Sequence, residues 1–133
     1  MSANLDLVRS ILDAWERGDV GWTAWADPDI EYVSPDGPSP GSWTGLDGMA
    51  KGVRDWLNAW EDWRVSADEY LELDDERVLV LTDYKGRGKR SGLEISEMRT
   101  KGAHLFHVRD GKVTRSVHYW DRERALADLG LAS

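Results

Sequence analysis

The sequence contains no cysteine, which excludes disulfides, thiolate nucleophiles and thiolate metal sites together. No apolar run approaches the roughly 18 residues that a membrane-spanning helix needs. The opening MSANLDLVRS has no basic flank followed by an apolar stretch, so no secretory signal is expected and the cytoplasm is the default location. Positive charge is scarce as well: 17 Lys+Arg against 25 Asp+Glu give a formal net charge of −8. Such a chain repels phosphate backbones and anionic bilayers, so neither nucleic acid nor a membrane is expected as partner. Phenylalanine is nearly missing, with one Phe beside four Tyr and eight Trp in 133 residues. The length suits a single domain over 1–133 with one sizeable core. Tryptophan is large and carries an N–H that wants an acceptor, so this excess lines a core, a partner surface or a pocket.

Leu5, Val8, Ile11, Leu12 and Trp15 share one helical face over residues 4–17, and Gly18 supplies a stop. Asp19 can cap a short second helix carrying Trp22 and Trp25 and ended by Asp27-Pro28, which completes a helical hairpin. Ile30, Tyr32 and Ser34 alternate with Glu31 and Val33, as in a strand with one face inward. SPDGPSPGSWTG, residues 34–45, holds three prolines and three glycines and reads as a lid-like loop with Trp43 near its end. From 46 to 63 the spacing of Met49, Val53, Trp56, Trp60 and Trp63 predicts a third helix with one aromatic stripe.

Beyond Trp63 the period falls to two, with β-rich runs at 64–73, 77–85, 94–108 and 112–120 that form an antiparallel meander. KGRGKRSG (85–92) lacks the spacing of a phosphate loop and reads as a solvated hairpin end. Asp121 caps a final helix, DRERALADLG, closed by Gly130. The expected class is α+β, with a curved antiparallel sheet wrapped around the helical hairpin and the third helix to leave a cone-shaped interior. VLVLT (78–82) is apolar on both faces, one for the interior and one for a partner subunit, so a homodimer through the sheet is expected.

The three histidines, His104, His107 and His118, all lie in the last hairpin, so its register decides which of them meet. With Arg109-Asp110-Gly111 as a three-residue loop, His104 opposes Ser116 and His118 lies diagonally on the same face, at roughly 7–8 Å. Phe106 and Trp120 share that face and His107 points away. With Asp110-Gly111 as a two-residue turn, His104 and His118 fall on opposite faces and a two-histidine site vanishes. On one apolar face the pair can share or relay a proton near neutral pH; alternatively they are core histidines tied to backbone or to indole N–H groups. A metal site from His104, His118 and Asp121 has no helical His pair or carboxylate cluster to support it, so neither metal nor cofactor is expected.

AWERGD at the end of the first helix, Ser34-Pro35 after the first strand, TGLDGM, AHLFHVRDGKV and YWDRERALADLGL together resemble the SnoaL-like branch of the nuclear-transport-factor-2-like superfamily. The resemblance covers nearly the whole chain and implies the NTF2-like, cystatin-like α+β fold. It implies no single reaction, because the superfamily includes polyketide cyclases, ketosteroid isomerases, dehydratases, epoxide hydrolases and binding-only members. His104 matches a pocket histidine of the cyclase, whereas His118 stands where the cyclase has its acid–base aspartate. Ser34, Ile11 and His104 stand where the isomerases carry their base, oxyanion tyrosine and protonated aspartate, which argues against that activity. Paired histidines look more like the dehydratases. The resemblance also implies that positions 104 and 118 face the cavity, which favours the three-residue turn.

The expected function is a cofactor-free lyase, isomerase or cyclase acting on a small aromatic or polycyclic carbonyl compound. His104 is the expected acid or electrophilic stabiliser and His118 the base. Tyr32, Trp25, Trp43, Trp56, Trp60, Phe106 and Trp120 are the expected walls, and Ser34 a hydrogen bonder. Trp15 and Trp63 are the rings most readily left to packing. The alternative is a dimeric, non-catalytic protein that binds a small hydrophobic ligand.

Overall fold

Helix α1 (Ala3–Glu16) follows from its apolar spacing: Val8, Ile11 and Leu12 are buried along one stripe. The computed structural model describes residues 3–18, 25–36, 40–58, 60–88 and 97–131, without the side chains of 61, 62, 87, 88 and 97–99. After α1 come β1 (Ala26–Ser34), β2 (Gly41–Thr44), α2 (Gly45–Asn58), β3 (Trp60–Glu72), β4 (Arg77–Gly88), β5 (Glu97–Arg109), β6 (Lys112–Tyr119) and α3 (Arg122–Asp128). The six strands form one curved sheet in the order β2-β1-β6-β5-β4-β3, which with the helices gives the expected α+β class.

Four of the five strand pairings are antiparallel, and β1 with β6 is parallel, so the sheet is mixed rather than wholly antiparallel. Three other expectations change. Trp25 lies in a turn and β1 begins at Ala26, so no helix continues to Asp27; Asp19 and Trp22 fall outside the described residues. The end of the Pro/Gly-rich segment is the short strand β2, which pairs with β1 from Glu31↔Thr44 to Ser34↔Gly41. The third helix stops at Asn58, and Trp60 and Trp63 belong to β3.

That last difference has a specific cause. The β3–β4 register shifts between Glu61 and Arg64, so one extra residue is accommodated and two rings three positions apart come to the same side of the strand. Their ring centroids are 5.5 Å apart. Both rest on Gly86, where an added Cβ would lie 3.0 Å from Trp63 Cε3 and 3.2 Å from Trp60 Cε3. A bulged strand thereby reproduces the spacing of a helical stripe.

On the inner face, Val8, Ile11 and Leu12 of α1 pack with Ile30, Met49, Val78, Val80, Phe106 and Val108. On the outer face, Leu79, Leu105 and Val117 cluster with Ala125 of α3. The VLVLT strand is thus apolar on both sides: Val78 and Val80 face in, while Leu79 and Leu81 face out, where the α3 end of the same chain joins their cluster. Asp121 caps α3 by accepting from Glu123 N. Arg122 fastens it to the sheet, with Nη2 donating to Asp68 Oδ2 at 2.9 Å and Thr82 O at 2.7 Å, and Nε to Gly102 O at 3.1 Å. Asp36, just after β1, accepts from Trp120 N at 2.8 Å and Asp121 N at 3.1 Å, which ties the exit of β1 to the end of β6.

Candidate functional site

The hairpin that carries the histidines starts in the two-residue-turn register considered from the sequence and then leaves it. Asp110 (φ 52°) and Gly111 (φ 76°) form a two-residue turn closed by Arg109↔Lys112, the left-handed geometry that an Asp-Gly pair favours. The register then shifts between Val108↔Val113 and His107↔Arg115, which leaves Thr114 as an extra residue. This bulge reverses the parity that the two-residue turn imposes. His104 therefore opposes His118 directly, rather than Ser116, and both side chains reach the inner face. The three-residue loop is overturned, and so is the conclusion that a two-residue turn removes the site. His107, half-buried, lies outside the cavity wall.

The two imidazoles stack, with centroids 5.4 Å apart and planes within 11° of parallel. His104 Nε2 lies 2.6 Å from Ser116 Oγ, and its ring stacks on Phe106 at 4.7 Å and meets Trp15 at 5.1 Å. His118 Nδ1 lies 3.4 Å from the Tyr32 hydroxyl. Trp56 and Tyr84 meet the His118 ring edge-on at 4.9 and 5.0 Å. Burial disfavours the charged form of both rings. It lowers His118 to about 4. His104 is held well below its ordinary value by burial and then by the neighbouring His118. Both imidazoles are therefore neutral at pH 7, and burial raises the Tyr32 phenol so that it keeps its proton.

A cavity of about 200 Å³ opens beside this pair. Of the residues expected from the sequence, His104, His118, Tyr32, Trp25 and Trp56 line it. Ser34, Trp43, Trp60, Phe106 and Trp120 stand outside the wall, each for a visible reason. The Ser34 hydroxyl donates to Asp36 O at 3.3 Å. Trp43 backs Tyr32 at 5.5 Å, and Phe106 supports His104. Trp60 and Trp120 stack on each other at 5.7 Å and flank Trp56. Trp15 and Trp63, the rings most readily left to packing on the sequence, line the cavity, as do Tyr84 and Ser116. Two steps of strand alternation could have found these last two, Ser116 from His118 and Tyr84 from Val80.

Among the described residues no charged side chain lines the cavity. Among the described residues, no three His, Cys, Asp or Glu side chains lie close enough together to hold a metal ion. Asp121 is committed to capping α3. The site offers a largely apolar chamber with two neutral imidazoles on one wall, suited to hydrogen bonding and to proton transfer with an uncharged aromatic compound.

The SnoaL-like domain profile matches residues 8–116, and the chain belongs to that family. No curated protein sequence matches it significantly. Solved structures share the fold. An NTF2-like protein of unknown function from Burkholderia pseudomallei K96243 is 24% identical, covers 96% of this chain and 97% of its own, and superposes with a TM-score of 0.78. TerC, co-crystallised with polyporic acid, is 21% identical over 98% of both chains with a TM-score of 0.74. A provisionally named SnoaL-like polyketide cyclase from Jannaschia sp. CCS1 is 16% identical, covering 98% of this chain and 92% of its own, with a TM-score of 0.74. Among the described residues no helix is long and apolar enough to cross a membrane.

Proposed function

We propose that the protein is a cofactor-independent enzyme of the SnoaL-like family that moves a proton on a small aromatic or polycyclic carbonyl compound, as a lyase, isomerase or cyclase. The carrying observation is the stacked His104–His118 pair on the wall of an uncharged aromatic cavity. With no carboxylate among the described residues of that wall, an imidazolium gains its counter-charge when the ligand develops one. His118 takes the proton from the carbon next to the carbonyl: the C–H bond breaks, an N–H bond forms, and the electron pair moves onto the carbonyl oxygen as an enolate. His104, braced by Ser116 and stacked on His118, polarises the ligand as a neutral donor. The acquired proton then returns to carbon in an isomerase, to the alkoxide oxygen left when the enolate carbon bonds to a second carbonyl carbon in a cyclase, or to a departing hydroxyl in a lyase. TerC supports the reading as a SnoaL-like-fold neighbour holding polyporic acid.

The alternative is binding without chemistry, favoured by one observation: among the described residues no carboxylate hydrogen-bonds either imidazole to support a charged state. Replacing His118 separates the two. In the enzyme, His118→Ala abolishes turnover of an enolisable aromatic ketone while that ketone still quenches tryptophan fluorescence. A variant that turns over the ketone at the wild-type rate removes the proposal. The proposal includes a homodimer in the cytoplasm, paired through the outer face of the sheet. The partly buried Val33, Leu71, Leu73 and Leu81 on that face support the pairing. Sedimentation equilibrium at micromolar concentration is expected to give twice the chain mass, and a monomer removes the dimer.

A further inference from the structure

The cavity beside the histidine pair holds about 200 Å³, and whether its walls can yield beyond that decides which ligands enter. An apolar protein cavity of about 150 Å³ accepts benzene, and close-packed interiors fill roughly three-quarters of their space. On this scale about 200 Å³ takes one substituted ring or two tightly packed fused rings. A third ring enters only where a wall gives way or an opening lets it protrude.

Two walls are interlocked rings. His104 packs on Phe106 at 4.7 Å and Trp15 at 5.1 Å, and the His118 ring is met edge-on by Trp56 and Tyr84. Trp56 in turn packs against Trp60 at 5.6 Å, Trp63 at 5.1 Å and Trp120 at 5.5 Å, so displacing its ring displaces three others. A third wall is α2, from which Met49 and Val53 line the chamber. This helix lies directly on Trp43: a Cβ added at Gly52 would stand 2.8 Å from Trp43 Cδ2, so no slack remains between helix and ring. On the side of Trp15 and Trp63 the chamber adjoins a surface groove, with which it also shares Gly18 and Val65. That groove carries Glu16, Arg17, Arg64, Asp83 and Lys85, so a hydrocarbon ring protruding there gains little burial and strips water from charged groups.

We propose that the site takes aromatic ketones of one or two fused rings and rejects three-ring homologues, with Met49 and Val53 on α2 setting the limit. This rests on the reading that the cavity takes an aromatic carbonyl compound, and it adds how many rings that compound has and which side chains decide it. Because the ring walls move only together, these two aliphatic side chains fix the width left for a ligand, and shortening either one widens the chamber without dismantling the aromatic cluster.

The test titrates the full chain with acetophenone, 1-tetralone and anthrone, which carry one, two and three rings. Tryptophan quenching gives the affinities, and the NMR shifts of the His118 and Trp15 rings locate each ligand in the cavity. Acetophenone and tetralone are expected to bind. Anthrone is expected to bind at least about tenfold more weakly than tetralone, because forcing extra atoms between packed walls costs at least that much. Met49→Ala is expected to bring anthrone to within about threefold of tetralone, and Val53→Ala takes its place if that variant does not fold. Anthrone binding to the wild-type chain within tenfold of tetralone overturns the proposal and leaves the cavity reading standing. So does acetophenone binding where tetralone fails, and so does a wild-type preference that neither α2 variant relieves. If none of the three ketones binds, the proposal and the cavity reading fall together.

Discussion

His104 faces His118 across the β5–β6 ladder as a direct cross-strand pair, and the alignment depends on Thr114. The Asp110-Gly111 turn alone would send the two rings to opposite faces, and the bulged residue brings them back together. Deleting Thr114 is therefore expected to do more than shorten a strand. Either the register slips and His118 leaves the cavity, or the ladder strains to keep it. Solution NMR checks this through loss of the close contacts between His118 and the rings of Trp56 and Tyr84.

Two glycines test different physics in the same region. Gly111→Ala meets nothing within 4 Å, so its cost is only the positive φ, about 1–2 kcal/mol. Gly102→Ala drives a methyl into the Tyr84 ring and to 2.5 Å from Tyr119 O, and is expected to cost about 3 kcal/mol or more. Urea denaturation of the two variants should rank them in that order.

Acid should weaken the fold in a defined window. His118 sits at about 4 in the folded chain and near 6.5 when unfolded, so between these values the unfolded chain binds the proton that the folded one refuses. Stability is thus fully present above about 6.5 and falls as pH drops towards 4, by roughly 3 kcal/mol for this group. His104 is shifted in the same direction and adds to the loss. Urea midpoints measured from pH 7 to pH 4 should decline, with a shallower slope in His118→Gln.

Tyr32→Phe removes the hydrogen-bond partner that His118 has among the described residues and leaves Nδ1 unmet in an apolar wall. The expected loss is about 1–3 kcal/mol, together with a change in the imidazole tautomer visible in ¹⁵N chemical shifts. An unchanged ¹⁵N spectrum would show that the 3.4 Å contact does not set the tautomer.

Asp36→Ala takes both acceptors from Trp120 N and Asp121 N. Faster hydrogen exchange at those two amides is expected, with a loss of about 1–3 kcal/mol, while exchange in the β3–β4 ladder stays protected.

The parts legible in the sequence are those governed by one unbroken period. Val8, Ile11 and Leu12 mark α1, the alternation of Val78 to Leu81 marks both faces of β4, and Asp121 marks the start of α3. Where a bulge breaks the period, the reading fails in a predictable direction. Trp60 and Trp63 look helical because a shifted register puts side chains three residues apart on one side of a strand. Thr114 has nothing in its composition to mark it as the extra residue, yet it decides the face of His118. The Pro/Gly-rich stretch conceals β2 because an edge strand of four residues needs little β propensity when β1 supplies the ladder. At the site, both histidines and three wall residues were legible, and Tyr84 and Ser116 share the inward faces of their strands with Val80 and His118.

The parallel pairing of β1 with β6 sets the timing of assembly as well as its shape. Tyr32 and His118 lie 86 residues apart along the chain, and the strand bearing His118 follows every other strand in synthesis. Until β6 docks, β1 has no strand neighbour on that side and its backbone edge there remains unpaired. Pairing over so long a loop is slow, so the chamber closes late in folding, and nascent chain paused before Lys112 presents an open sheet edge to whatever chaperone is nearest.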